Sequence, residues 1–377
     1  LDELFKVDNE QKTETTEEKT TKRKQNPVTY RKMQYQKLES AGRELYVTGK
    51  GVFLGYTQKG VSIRKFGKIE NITNPNMLKN ITIASAGVSL SGELIKFCAE
   101  RSISIDFLGF DGKPFAKLFT PKFQNNRMLN SQNNAFTNGK ALVICKAIVI
   151  GKLKNQINLL KYFLKNMKNQ PSENIKTIKD AIDKISIHLK KAAETDETNL
   201  KLLQNKLMGC EGQAATAYWN SISVLINHKI EFDKREHKGA KDTVNCLFNY
   251  GYGILYGRIW EGVIKAGLNP NICYLHAMRD NRPGLIFDLI EEFRQQVVDR
   301  AIISLIRKNV KLSSENGKLG DKTKKVLVNK VMERLNKPEM FRGQELRVTE
   351  IIAKQAKNFA DFIDGKSNKY LTYYLKW

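Results

Sequence analysis

Glu211, His276, Asp288 and Glu291 are the residues of this sequence whose types and spacing best suit chemistry. They stand in two dense segments, Leu207-Met-Gly-Cys-Glu-Gly-Gln-Ala-Ala-Thr-Ala-Tyr-Trp219 and Tyr274-Leu-His-Ala-Met-Arg-Asp-Asn-Arg-Pro-Gly-Leu-Ile-Phe-Asp-Leu-Ile-Glu-Glu-Phe-Arg294. One imidazole with several carboxylates suits a hard or borderline divalent ion such as Mg²⁺ or Mn²⁺. The surrounding chain carries a formal net charge of +25. A carboxylate-held metal in so basic a protein points to phosphodiester chemistry on nucleic acid.

Each of these residues also has a plain structural explanation. On a helix starting near 284, Leu285, Leu289, Phe293 and Val297 recur every four positions and face the core. Asp288 and Glu291 lie beside each other away from that stripe, which also describes an acidic solvated face. Glu292 sits nearer the stripe's edge, four residues after Asp288, so helix geometry leaves Glu291 and Glu292 open as alternatives. A lone histidine such as His276 is more often a core or surface residue than a ligand. The small residues around Glu211 (Gly209, Gly212, Ala214, Ala215, Ala217) permit close helix packing, and they equally let a short carboxylate approach a shared ion. Each signal is weak alone; their order and spacing together are strong.

The elements that must position these groups fall into two parts. Residues 45 to 120 read as short strands with turns and one helix: Leu45-Tyr-Val47, Gly51-Val-Phe-Leu54, Val61-Ser-Ile63, Ile81-Thr-Ile83 and Ser102 to Leu108, with Ser91 to Arg101 helical and Leu94, Ile95 and Cys98 on one face. From about 125 the pattern is helical to the end, strongest over 140–168, 196–228, 243–267 and 284–310. Ser313 to Gly320 reads as a loop. The expected class is α+β: a small β-rich N-terminal domain (41–122) followed by a larger all-helical, metal-dependent catalytic domain (123–377). Residues 8 to 26 are mixed-charge and Thr-rich, so 1–40 reads as a flexible linker or tail. The chain opens at Leu1 rather than Met, which suits the C-terminal part of a longer polypeptide or a trimmed chain.

Sixty-four Lys and Arg against 39 Asp and Glu favour a polyanionic partner. Residues 112 to 172 hold 11 Lys or Arg and no Asp or Glu, with helical apolar spacing at Leu153, Ile157, Leu160 and Leu164, so this stretch is expected to present a positive face. No long uncharged apolar run supports a membrane. The five cysteines are scattered without a Cys-x-x-Cys pair, which fits reduced thiols in a cytoplasmic protein. Cys210 beside Glu211 and Cys273 near His276 suggest zinc, but the neighbouring carboxylates favour oxygen ligands.

Taken together, the segments Gly209-Cys-Glu-Gly-Gln-Ala-Ala215, Asp242-Thr-Val-Asn-Cys-Leu-Phe-Asn-Tyr-Gly-Tyr252, Leu275-His276 and Phe287-Asp-Leu-Ile-Glu-Glu-Phe-Arg294 resemble the CRISPR-associated integrase family, CRISPR-associated protein one. The likeness spans nearly all of residues 40 to 377, and Ile103-Ser-Ile-Asp-Phe-Leu-Gly-Phe-Asp-Gly112 and Gly151-Lys-Leu-Lys-Asn-Gln156 share it. A local departure is Lys238-Gly-Ala-Lys241, where members often carry a Pro-Pro pair.

The resemblance implies metal ligation by Glu211, His276 and Glu291, with Asp288 a further ligand or supporting acid. It thereby selects Glu291 over Glu292, and Glu292→Ala is expected to be mild. It implies Mg²⁺- or Mn²⁺-dependent insertion of short DNA spacers into a CRISPR array, the 3′-hydroxyl of one DNA attacking a phosphodiester at a repeat edge. Implied partners are double-stranded DNA (prespacer and repeat), a second copy in a homodimer, a small second CRISPR-associated adaptation protein, and, in some members, an upstream fused reverse transcriptase. Lys113, Lys117, Lys122, Arg127, Lys152 and Lys154 are expected to clamp phosphates, with Arg235, Asn245 and Arg282 as further DNA-positioning residues. The competing classes are a metal-dependent nuclease or transposon-type integrase on other DNA, and a non-catalytic DNA-binding scaffold.

Overall fold

The computed structural model describes residues 43–58, 60–73, 78–109, 112, 114–120, 125–167, 171–237, 239–280 and 282–375. The expected N-terminal linker, Lys113 and Lys122 lie outside these residues. The chain divides into two compact units, one of residues 1–109 with 115–120 and the other of 110–114 with 121–377.

The first unit holds two four-stranded sheets. In one, β1 (Arg43–Val47), β5 (Leu78–Ile83) and β7 (Ser104–Leu108) run parallel, with β8 (Pro114–Leu118) at the edge. In the other, β4 (Lys68–Thr73), β3 (Gly60–Lys65) and β2 (Val52–Thr57) are antiparallel, and β6 (Val88–Leu90) adds parallel to β2. Helix α1 (Gly92–Glu100) starts where the Ser91 hydroxyl accepts from the Leu94 N–H at 3.1 Å. It buries Leu94, Phe97 and Cys98 against Leu54, Val61, Ile81 and Ile105. Ile95, expected on that face, is exposed; Phe97 takes its place because positions three and four apart share a face.

The second unit is built of helices: α2 (Asn126–Asn134), α3 (Lys140–Leu164), α4 (Ser172–Glu194), α5 (Leu200–Ile226), α6 (Thr243–Lys265), α7 (Gly284–Ile290), a π-helical turn (Gln295–Asp299), α8 (Arg300–Arg307), α9 (Asp321–Leu335) and α10 (Val348–Ile363). Two two-stranded ribbons join them, β9 (Ser314–Glu315) with β10 (Lys318–Leu319) and β11 (Pro338–Phe341) with β12 (Gln344–Arg347). The first ribbon falls on the stretch that reads as a loop. The architecture is therefore α+β, with a small strand-rich part and a larger, mostly helical one.

Helix α3 is the spine of this unit and packs against α4, α5 and the π-helical turn. Its middle is buried on all sides, including Gly151, Lys152, Asn155 and Gln156. Of the helix's lysines only Lys152 is buried; Lys140, Lys146 and Lys154 are half-buried and Lys161 is exposed, so Lys152 is the one that does not lie on the expected positive face. Gly151 has a packing reason: a Cβ there would meet Thr372 Oγ1 at 1.9 Å, so only glycine lets the C-terminal segment cross. Asn155 then ties that segment down, donating to the carbonyls of Glu292 at 2.9 Å and Tyr373 at 3.1 Å. Gly151 and Asn155 of the Gly151 to Gln156 motif thereby act as a clamp on that segment.

Candidate metal centre

Three separate elements deliver the charged groups. Helix α3 brings Lys152, α5 brings Glu211, and the end of α7 brings Asp288 and Glu291. His276 stands in the loop between α6 and α7. That loop is pinned from several directions. Tyr274 is fully buried, packs at a tilt against Phe136 and Phe359, and donates its hydroxyl to the Gln132 carbonyl at 2.9 Å. The Cys145 thiol donates to the Tyr274 carbonyl at 3.1 Å, and the Cys273 thiol to that of His276 at 3.1 Å. All five cysteines are free and buried, so these two act as packing groups with weak S–H donors.

Asp288 is wholly buried and organises the loop. Its Oδ2 accepts from the N–H groups of Tyr274 at 2.7 Å and Leu275 at 3.0 Å. Its Oδ1 accepts from the His276 N–H at 3.2 Å and faces His276 Nδ1 at 2.7 Å. With Nδ1–H donating to the carboxylate, Nε2 carries the lone pair. This is the carboxylate–histidine arrangement that orients a metal-binding imidazole. Burial pulls the His276 pKa down, but the Asp288 hydrogen bond and charge, with the Glu291 and Glu211 charges, outweigh it and raise it above the ordinary histidine value.

Glu291 is buried and surrounded by cations. Arg294 Nη1 lies 2.7 Å from its Oε1 and Lys152 Nζ lies 2.8 Å from its Oε2. The same ammonium lies 2.5 Å from Glu211 Oε1. Burial opposes ionisation of Glu291, but Arg294, Lys152 and His276 prevail and hold its carboxyl down to about 2. Burial likewise opposes the charge on Lys152, and the Glu291 and Glu211 carboxylates overcome it and raise its pKa. The approach of Lys152 to Glu291 is an ion pair without hydrogen-bond angles, so Oε2 of Glu291 is a buried acceptor with no hydrogen-bond partner. Close helix packing does not explain the glycines beside Glu211: a Cβ at Gly209 or Gly212 would meet nothing within 4 Å. They leave open the surface next to Glu211.

Among the described residues, no three His, Cys, Asp or Glu side chains stand as a ready cage for a metal ion. The reason is local: the Lys152 ammonium lies between two of the expected ligands. The donor set nevertheless fits a divalent cation. Two carboxylates meet at a point where a positive charge already sits, one carboxylate oxygen lacks a hydrogen-bond donor, and the Asp288-oriented imidazole is near enough to feel both glutamate charges.

Glu292 faces the opposite way. It accepts from Gln355 Nε2 at 2.9 Å, the Tyr373 N–H at 2.8 Å and the Tyr370 hydroxyl. Burial pushes its carboxyl up to about 7 against the pull of these donors. The expectation that Glu292→Ala is mild does not fit a fully buried carboxylate that ties the C-terminal segment down.

The other expected residues are scattered. Lys152 is inside the carboxylate pair rather than on a phosphate-facing surface, because its helix is covered there. Lys117 is also buried, paired with Asp106. Arg127 forms a two-pronged pair with Asp364, 3.1 Å at each contact. Lys154 lies over the Tyr374 ring at 4.2 Å and Arg282 over the Phe287 ring at 4.3 Å. Arg235 and Asn245 are structural neighbours: Arg235 donates to Asn245 Oδ1 at 2.9 Å and to Asn249 Oδ1 at 2.6 Å, and sits among the rings of Trp219, Phe248 and Tyr252. Asn245 in turn donates to the Lys234 carbonyl at 2.8 Å.

Sequence reasoning missed Arg294 and the buried cluster behind it. Asp299, on the π-helical turn, accepts from the hydroxyls of Tyr218 and Tyr252, each at 2.6 Å, and the Arg294 guanidinium lies 4.9 Å from the Tyr252 ring. His237 was missed too; burial and the Arg235, Arg294 and Lys152 cations push it down to about 4, which keeps it neutral. For Lys152 a signal existed. It lies four residues after Ile148, on the helix's apolar stripe, and a charge at a core position calls for a buried partner.

The profile for CRISPR associated protein Cas1 matches residues 45–333, so the chain belongs to the Cas1 family. It is 28% identical over 345 residues to the CRISPR-associated endonuclease Cas1 1 of Archaeoglobus fulgidus, covering 88% of this chain and 99% of that protein. It is 29% identical over 335 residues to the endonuclease of the same name from Francisella tularensis subsp. novicida, covering 89% and 100%. Among solved structures, the fold is like that of a casposase bound to integration product (TM-score 0.74, 21% identity, 87% of this chain and 92% of that chain). It is also like a Cas1 protein from Thermotoga maritima (TM-score 0.70, 21% identity, 88% and 99%). No helix of the described residues is long and apolar enough to cross a membrane.

Proposed function

We propose that this chain is a divalent-metal-dependent DNA endonuclease and integrase that joins the 3′-hydroxyl of a short DNA to a CRISPR repeat edge by transesterification. The observation that carries this reading is the meeting of Glu211 and Glu291 at one cationic point, with an Asp288-oriented His276 in electrostatic reach of both. Those three side chains would hold Mg²⁺ or Mn²⁺, which supplies charge neutralisation at the phosphoryl group and eases ionisation of the attacking hydroxyl. Asp288 fixes the imidazole face, and Arg294 holds Glu291 from the far side. The route needs no covalent enzyme intermediate, and all five thiols are buried.

The partners belong to the same proposal: double-stranded prespacer and repeat DNA, a second copy of the chain, and a small second adaptation protein. A fused reverse transcriptase would be an upstream extension of the same system. A protein of like fold is described in a Cas6-RT-Cas1–Cas2 complex, at 18% identity, with this chain covering 36% of its length. The proposed site of action is the cytoplasm.

The test is strand transfer by the purified chain with its second adaptation protein, into a plasmid carrying the repeat. Joined product is expected with Mg²⁺ or Mn²⁺, none with chelator, and none from a donor ending in a 3′-deoxynucleotide. Cutting without joining, under all conditions, would leave the nuclease reading and remove the integrase one.

A further inference from the structure

The Lys152 ammonium occupies the space that a shared ion would need. It lies 2.5 Å from Glu211 Oε1 and 2.8 Å from Glu291 Oε2, with its side chain only 10% exposed. Two carboxylates brought together on separate helices repel each other unless a cation lies between them. Lys152 is that cation here. An ammonium has three donors and no acceptor, so it cannot itself ligate a metal. A divalent ion bound by the same oxygens would lie within a few ångströms of it, where like charges exclude one another.

We propose that Lys152 is a built-in competitor of the divalent ion: it holds Glu211 and Glu291 in register while no metal is bound, and it swings out when the metal enters. This inference rests on the metal reading of the same residues. Arg294 is not part of the exchange, because it pairs with the other oxygen of Glu291, Oε1, at 2.7 Å. A lysine suits the exchange better than an arginine would, being a compact charge on a flexible stem. The centre is then preformed without metal, and apparent metal affinity is set by exchange of one cation for another rather than by capture into an empty site.

Two measurements on the intact chain test this. In the first, Lys152→Met is compared with the wild type by calorimetry with Mn²⁺ and by melting with and without chelator. The variant should melt lower in chelator, gain more from Mn²⁺, and bind Mn²⁺ at least about 10-fold tighter, since the competitor is gone. Unchanged or weaker Mn²⁺ binding would overturn the proposal. The second needs no variant, should Lys152→Met not fold. Brief acetylation of the wild type, read by peptide mass spectrometry, should find Lys152 protected in chelator and reactive with saturating Mn²⁺. Mn²⁺ binding that leaves Lys152 protected would overturn the competitor role while the metal reading stands. A wild type that binds no Mn²⁺ would bring down both.

Discussion

Glu291 and Glu292 are consecutive residues, both buried, and their surroundings push them in opposite directions. Glu291 faces Lys152, Arg294 and His276, and its carboxyl is held down to about 2. Glu292 faces the Tyr370 hydroxyl, the Tyr373 N–H and Gln355, and its carboxyl is pushed up to about 7. The first is surrounded by cations yet keeps an oxygen without a hydrogen-bond donor; the second is surrounded by neutral donors on both oxygens. Burial of an acid therefore does not mark function by itself. A charge balanced by mobile cations can exchange them for a metal, whereas a charge held by backbone and aromatic donors fastens a chain segment.

The largest effects should separate these two walls. Glu211→Ala, His276→Ala and Glu291→Ala are each expected to abolish strand transfer, by more than the ~10–100-fold typical of residues that only support ligands. Glu292→Ala should instead act on stability. It orphans the donors of Gln355, Tyr370 and Tyr373, and at ~1–3 kcal/mol per buried orphan the loss should be about 3 kcal/mol or more. Melting temperature and strand transfer on the same preparations decide it. A stable, inactive Glu292→Ala would reverse the assignment of the two walls.

Asp288 lies between these extremes. Asp288→Asn should cost ~10–100-fold in metal affinity or rate, because it unsettles the imidazole without removing a ligand. It also carries a pH signature. In the proposed site, metal binding would need neutral His276, and Asp288 raises the histidine's pKa above its usual value of about 6.5. Wild-type activity should therefore fall as pH drops through a point above about 6.5, and in Asp288→Asn that acid limb should move lower. An unmoved limb would detach Asp288 from His276 function.

The Glu292 wall makes a pH prediction of opposite sense. A carboxyl whose folded pKa is raised stabilises least once it must ionise, so its contribution falls as pH rises from about 4.5 to about 7. Glu291, being lowered, contributes at all pH above about 4.5 and loses its contribution only as pH falls toward about 2. Between pH 5 and 8 the wild type should lose melting temperature with rising pH, and Glu292→Gln should flatten that slope. The same slope in both chains would mean that the donors, not burial, govern Glu292.

Much of this was legible in the sequence. Period-two runs mark the strands Val52–Thr57, Gly60–Lys65 and Ser104–Leu108, and apolar periodicity marks the long helices at 140, 200 and 243. The pairing of an acid segment with a Leu-His segment also stood out. The stretch from 284 to 310 was harder. It reads as one amphipathic helix, but Glu292 N–H and Phe293 N–H bond three residues back, and Gln295–Asp299 then opens into a π-turn. That irregular turn brings Glu292, Gln295, Gln296 and Asp299 inside together. Hydrophobic spacing cannot foresee it, because the polar groups are buried by partners far along the chain. Lys152 escapes the sequence for a related reason: its charge reads as surface, and its two carboxylate partners lie 59 and 139 residues away.

The smallest effect tests whether the basic surplus serves DNA outside the metal wall. DNA affinity should fall as salt rises, because Lys and Arg displace cations condensed on phosphates. Lys152 no longer suits a test of that surface, since reversing its charge would disrupt the carboxylate pair. Lys154 does suit it: it is two residues on, partly exposed, and lies over the Tyr374 ring. Lys154→Glu should weaken DNA binding several-fold at low salt, reduce the steepness of the salt dependence, and leave Mn²⁺ affinity unchanged. Lys152→Glu should do the reverse, changing Mn²⁺ affinity first and in the same direction as Lys152→Met. Filter binding across a salt series, run beside Mn²⁺ calorimetry, separates them. If Lys154→Glu changes Mn²⁺ affinity as much as DNA affinity, the two neighbouring lysines serve one site, and the division between a metal wall and a phosphate surface on this helix falls.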